Sequence, residues 1–230
     1  GVRIAIVDAY RDQHLLDIGV ASKNLKLITG GSAAAMGLAS NFLAQSGVKS
    51  NNTAVKIPSV SGPQAVISGS CSQMTLDQVA QMSKSHPVFR FDAIDLAEGR
   101  VTANKILEWA SPHLLADQAF LVTASVAPEL IRKAQELLGR SEAGELIEKT
   151  LAEVARLLVK NGVRRMLVAG GETSGAVVQA LGIRGFQIGQ EIAPGVPCLV
   201  TLDQEPIALT LKSGNFGNED FFLRALREMP

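Results

Sequence analysis

Four short glycine- and serine-rich runs carry residue types that can cradle an anion: Thr29-Gly30-Gly31-Ser32, Ser68-Gly69-Ser70-Cys71-Ser72, Gly170-Gly171-Glu172-Thr173-Ser174-Gly175 and Lys212-Ser213-Gly214-Asn215-Phe216-Gly217. Each follows a short apolar run that reads as a strand, and open α/β sheets take their ligands at the carboxyl ends of strands. Four such turns on one rim point to a nucleotide or phosphate site. The run from Gly170 is the best formed. It leaves the apolar run Arg165–Ala169 and enters Ala176-Val177-Val178, so its amides fall at a helix N-terminus, where free N–H groups and the helix dipole favour an anion. It is not a Walker A loop, because Ala176-Val177 stands where Lys-Ser/Thr is needed, and it is not the GxGxxG dinucleotide fingerprint. A plain strand-to-helix turn capped by Ser174 remains the alternative.

Lys212 ends the apolar run Ile207–Leu211 and could supply a cation to phosphate, or it could be a solvated strand end. Glu172, the carboxylate inside a glycine run, could hold Mg²⁺ directly or through water, or serve the helix dipole. His14, His86 and His113 lack metal-ligand spacing and read as surface or cap residues. Cys71 and Cys198 are too few and too isolated for a disulfide framework or a metal site, and Cys71 reads as a small buried thiol. Tyr10 and Trp109 read as packing, and Pro194-Gly195-Val196-Pro197 as a rigid turn between strands.

The elements that must position these turns follow from periodicity. Short apolar runs alternate with longer amphipathic ones, the pattern of an α/β fold: a layered, mostly parallel sheet with helices on both faces, Rossmann-like and nucleotide-binding. Strands are expected at 3–8, 25–29, 65–68, 88–91, 119–123, 165–169, 185–188, 198–202 and 207–211. Helices are expected near 12–22, 33–45, 75–84, 98–110, 128–138, 142–160, 174–181 and 219–228. Thr75 reads as an N-cap, Pro128 as a first-turn proline, and Gly47, Gly139, Gly162 and Gly182 as C-terminal stops. The Ser-, Asn-, Gly- and Pro-rich stretch 46–63 is expected to be a linker or crossing loop between a leading segment, 1–45, and a nucleotide-binding domain, 64–230.

Composition excludes several classes. The 230 residues balance 22 Lys+Arg against 22 Asp+Glu, which gives no electrostatic footprint for nucleic acid or an acidic membrane. With 47% hydrophobic and 19% charged residues, the chain can bury a full core, against disorder. Its most apolar windows are strand-length, short of the roughly 18 residues of a membrane span. A soluble protein of a reducing cytoplasm is expected.

Taken in order, the turns resemble those of the four-carbon acid sugar kinase family. The resemblance rests on the four runs, on Thr75 and Gln78, on Glu191-Ile-Ala-Pro-Gly-Val-Pro197, and on Asp220-Phe221-Phe222. It covers essentially the whole chain. The stretch from Thr29 through Gly37-Leu38 to Asn41-Phe42 is closest to the 3-oxo-tetronate kinases, although Ala33 stands where that branch has glycine. The resemblance implies phosphorylation of the terminal hydroxyl of a four-carbon acid sugar by ATP with Mg²⁺, and a family length about twice this one. It also implies that the chain is the C-terminal half of something longer, since the N-terminal Asp-Asp-x-Thr-Gly motif is absent and the chain opens on Gly1. An acid-sugar-binding N-terminal domain is then the expected partner. By the same resemblance, Ser68, Ser70, Gly170, Gly171, Glu172, Thr173, Ser174, Lys212, Gly214 and Gly217 are the expected nucleotide-binding residues. No catalytic residue is assigned. A nucleotide-binding or regulatory module without activity of its own is the alternative, a dinucleotide oxidoreductase lacks its fingerprint, and a two-fold dimer is the base-rate expectation.

Overall fold

A strand-like sequence makes a strand only where a ladder partner exists, and the first 46 residues illustrate this. The computed structural model describes residues 3–46 and 56–230. By contacts the chain divides into two units, 1–53 and 54–230. In the first, α1 (Asp12–Ala21) is followed by a 3-10 segment (Ser32–Gly37) and α2 (Ala39–Ser46). Gly19 and Gly37 touch backbone to backbone, and Asn41 Nδ2 donates to Gly19 O at 2.7 Å. The strands expected at 3–8 and 25–29 are absent. Among the described residues neither stretch joins a strand ladder, and Ile4, Ile6 and Leu27 stand 84%, 94% and 84% exposed. Tyr10, expected to pack, is exposed and meets the His14 ring and Arg11. Of the expected crossing loop, residues 47–55, Gly47 included, lie outside the described residues, and 56–63 form neither helix nor strand.

Among the described residues, the second unit holds a seven-stranded sheet. Its strands are β1 (Gln64–Ser68), β2 (Val88–Arg90), β3 (Phe120–Thr123), β4 (Arg165–Ala169), β5 (Phe186–Ala193), β6 (Val196–Thr201) and β7 (Ala208–Lys212), in the order β2-β3-β1-β4-β7-β6-β5. The first five in that order are parallel, and β6 and β5 add antiparallel. The β5–β6 ladder breaks register twice, around Glu191. Between the strands run α3 (Gln73–Met82), α4 (Ala93–Ala97), α5 (Ala103–Leu115), α6 (Pro128–Leu138), α7 (Arg140–Lys160) and α8 (Gly171–Ala180), and α9 (Phe221–Glu228) follows β7.

Side-chain alternation divides the core into two layers. Ala65, Ile67, Val122, Met166 and Val168 face one way, against Ile106 and Ala110 of α5, Leu151, Val154 and Leu158 of α7, and Val177 of α8. Val66, Leu121, Leu167 and Ala169 face the other way, against Val79 and Met82 of α3 and Phe221, Phe222, Ala225 and Leu226 of α9. Burial on both faces is why β1 and β4 read as continuous apolar runs rather than alternating ones. Helices therefore cover both faces of a mostly parallel sheet, as expected. Among the described residues, no helix is long and apolar enough to cross a membrane.

Helix termini follow local chemistry, with one correction. Pro128 opens α6, where its missing N–H costs nothing. Gly139 (φ +92°) joins α6 directly to α7. The N-cap of α3 is Ser72, not Thr75: the Ser72 hydroxyl accepts from Thr75 N, and Thr75 lies inside the first turn.

Candidate functional site

Strand register places the turns. Across the sheet, Thr123, Ser68, Ala169 and Lys212 pair in one row at the carboxyl ends of β3, β1, β4 and β7. The runs that follow β1, β4 and β7 therefore emerge side by side. The fourth run, 29–32, belongs to the first unit and follows no strand. Strand order reverses between β1 and β4, the switch point where an open α/β sheet leaves a crevice.

Backbone hydrogen bonds lace the three turns together. Gly69 N and Ser70 N donate to Ala169 O at 2.9 and 3.2 Å, and Gly170 N donates to Lys212 O at 2.8 Å. Such closeness needs glycine. A Cβ on Gly69 would stand 2.3 Å from Thr173 Oγ1, and one on Gly170 would stand 2.8 Å from the same atom, at a φ of +129°. Gly170 is the N-cap of α8 and lacks a side chain to cap with, which leaves the first-turn amides of Gly171, Glu172 and Thr173 as free donors. Ser174 is not the cap: it lies inside the helix, buried, with its hydroxyl toward Val168 O at 3.5 Å.

These turns open onto a cavity of about 450 Å³. One end is lined by Gly69, Ser70, Cys71, Gly170, Gly171, Glu172, Thr173 and Gly214. The other is largely apolar, walled by Leu130, Ile131 and Ala134 of α6 and Ala143, Gly144 and Ile147 of α7, with Asp92, Gln135, Arg140 and Glu148 at its margins. A cavity that joins free amides to an apolar slot has the chemistry to take an anion carried on a flat hydrophobic group.

Of the ten expected site residues, Ser70, Gly170, Gly171, Glu172, Thr173 and Gly214 line the cavity, and the other four stand behind it. Ser68 is buried, its hydroxyl 2.8 Å from that of Ser125. Gly217 (φ +77°) lets the backbone pass the Phe221 ring, where a Cβ would stand at 2.6 Å. Lys212 is fully buried, donating to Thr75 Oγ1 at 2.8 Å and Gly214 O at 2.6 Å. Burial pulls its pKa down to about 8. The Pro194–Pro197 turn joins β5 to β6, and Gly195 (φ +77°) abuts the Phe216 ring. Its role is to back the loop after β7.

Glu148 escaped the sequence. It is raised above the ordinary carboxyl range first by burial, then by a side-chain hydrogen bond and charge repulsion from Glu172, and by the charge of Glu145. Nothing in the amphipathic pattern of α7 distinguishes it from other polar residues on that helix, so only the fold brings it to Glu172. Cys71 also lines the cavity, half-buried, its thiol pushed up by burial.

Comparison with known proteins gives the family. Residues 65–222 match the model of a family described as the nucleotide-binding C-terminal domain. The chain belongs to that family. A protein of Cupriavidus necator named 3-oxo-tetronate kinase is 47% identical over all of this chain and 52% of its own length, and one of Burkholderia multivorans with the same name is 45% identical over 100% and 53%. Among solved structures, the Haemophilus influenzae protein HI1011 superposes with a TM-score of 0.73 at 38% identity, over 99% of this chain and 54% of its own. This member of the nucleotide-binding family thus spans about half the length of the curated relatives it matches. Their shared name is that of the branch which the stretch 29–42 resembles.

Proposed function

We propose that this chain is the nucleotide-binding half of an ATP-dependent kinase that phosphorylates the terminal hydroxyl of a four-carbon acid sugar, 3-oxo-tetronate. The observation that carries this is the cavity at the β1/β4 switch point, amide-rich at one end and apolar at the other. Kinship with proteins named 3-oxo-tetronate kinase supports the substrate class.

Phosphoryl transfer asks a protein chiefly to position phosphates and neutralise charge spreading over their oxygens. The amides of Gly171, Glu172 and Thr173 take phosphate oxygens, Ser70 and Gly214 flank them, and the slot between α6 and α7 receives the base. Ser68, Ser174 and Gly217 hold these groups from behind.

The donor set also fits Mg²⁺. Burial first, then the neighbouring Glu172 carboxylate, raises the Glu148 pKa, and a divalent cation between the two would relieve their repulsion. Glu172 and Glu148 would hold the ion, directly or through water. When bound, it offsets phosphate charge.

The acid sugar and the base that deprotonates its hydroxyl are assigned to an N-terminal domain of the same protein, in keeping with relatives about twice this length. A cytoplasmic location and a two-fold dimer complete the proposal, the latter on the base rate for soluble enzymes and checked by sedimentation. A second reading is a nucleotide-binding module without activity of its own, supported by the match to a family described as a nucleotide-binding domain. Calorimetric titration with Mg-ATP, with NAD as comparison, tests the core of both. Saturable binding of ATP but not NAD is expected, and absence of ATP binding overturns the proposal. Turnover restored by the N-terminal domain separates the kinase from the silent module.

A further inference from the structure

A cation enclosed by protein is costly unless its N–H groups are used. Lys212 is enclosed without a carboxylate: loss of water is the sole cause of its shift, and its neighbours are Thr75 of α3, the Gly214 peptide and, 6.0 Å from Nζ, the Phe222 ring of α9. It does not line the cavity, whereas Gly214 does.

Thr75 extends this contact to the turn after β1. Its hydroxyl stands 2.9 Å from Ser72 Oγ and 3.2 Å from Ser70 Oγ, and 3.3 Å from Gly214 O. With one lone pair engaged by Lys212, the hydroxyl has a single proton to give within this group. One helical turn further along α3, the fully buried Gln78 donates through Nε2 to Phe216 O at 3.1 Å and Asn218 O at 2.9 Å. Carbonyls of residues 214, 216 and 218 are therefore each held from α3 or from Lys212.

We infer that Lys212 is a positioning residue, an internal strut that fixes the Gly214 peptide at the cavity wall and, through Thr75, holds it in register with Ser70, instead of being a phosphate ligand. This rests on the nucleotide-binding function proposed above. Arranged so, the ammonium acts on the nucleotide only through the loop it holds.

The test compares Lys212→Met, Thr75→Val and the double variant by two readouts: Mg-ATP affinity, and hydrogen exchange of residues 213–217. A strut predicts that each single variant loses about tenfold or more in affinity, the scale of one lost hydrogen bond to a charged group. It also predicts that the double variant loses no more than either single one, and that Thr75→Ser restores binding. Exchange of 213–217 should rise in both single variants by more than the shift in unfolding midpoint accounts for, with Thr75→Val, which leaves the enclosed ammonium short of a partner, the less stable of the two. Wild-type-like ATP binding by Thr75→Val beside a loss in Lys212→Met would overturn the inference in favour of direct phosphate contact. Additive losses, or unchanged exchange in Lys212→Met, would overturn it too. Failure of the wild-type protein to bind ATP would sink the proposed function, and the exchange readout would still decide the strut.

Discussion

Residues at the amide-rich end of the cavity differ in what a change would cost. Gly171 tolerates a side chain: a Cβ there comes no closer than 3.4 Å to Ser213 Oγ, and its φ is not left-handed. Gly171→Asp is therefore expected to keep the fold, with an unchanged melting curve, while a carboxylate among the free amides abolishes Mg-ATP binding; unaltered affinity by calorimetry would contradict the phosphate turn. At Glu148 the folded state favours the protonated form. Between the ordinary carboxyl value of 4.5 and its raised value, the folded chain holds more protons than the unfolded one, so this group's contribution to stability falls as pH rises. Glu148→Gln should raise the urea midpoint at neutral pH, lose that advantage at acid pH, and weaken the Mg²⁺ dependence of ATP binding. Lys212 behaves in the opposite sense. Between about 8 and its ordinary 10.5 the unfolded chain keeps a proton that the folded one has shed, so its contribution rises with pH, and Lys212→Met should flatten that rise in denaturant titrations across this window.

At the scale of elements, α6 and α7 form the apolar wall of the cavity, joined by Gly139 alone. Gly144 sits in the first turns of α7 with nothing within 4 Å of the place where a Cβ would be. Gly144→Leu should add about 0.5–1 kcal/mol of helix stability while filling the slot, so that ATP binds weakly and tripolyphosphate binds as before. Equal loss of both ligands, measured by competition, would place the base elsewhere. Sequence periodicity located most of these elements because strands buried on both faces and amphipathic helices carry their own signals: β4 and α6 lie where periodicity put them. It failed at 3–8 and 25–29, where strand propensity meets no partner, and at Thr75, where two hydroxyls three residues apart compete for one cap. In the site, glycine turns were legible because close approach demands glycine. Glu148, and the enclosure of Lys212, depend on how distant elements pack and leave no local trace.

Taken as a whole, the second unit gathers three turns at the carboxyl ends of neighbouring strands and packs two core layers that buttress them. Phe222, fully buried in the layer shared by α3 and α9 and 6.0 Å from Lys212 Nζ, links the two. Phe222→Ala should cost about 3–5 kcal/mol by denaturant titration and loosen the loop after β7 as well. Among the described residues the sheet ends on both sides, and an unpaired strand edge is a template on which further chains can add, the first step of fibre growth. On one side β2 is only three residues long. On the other, β5 breaks register on either side of Glu191, so its outer backbone groups do not present a straight row. The same irregularity thereby guards the sheet against self-templating, and a variant with a regular β5 would be a candidate for amyloid-like assembly at concentrations where the natural sequence stays dispersed.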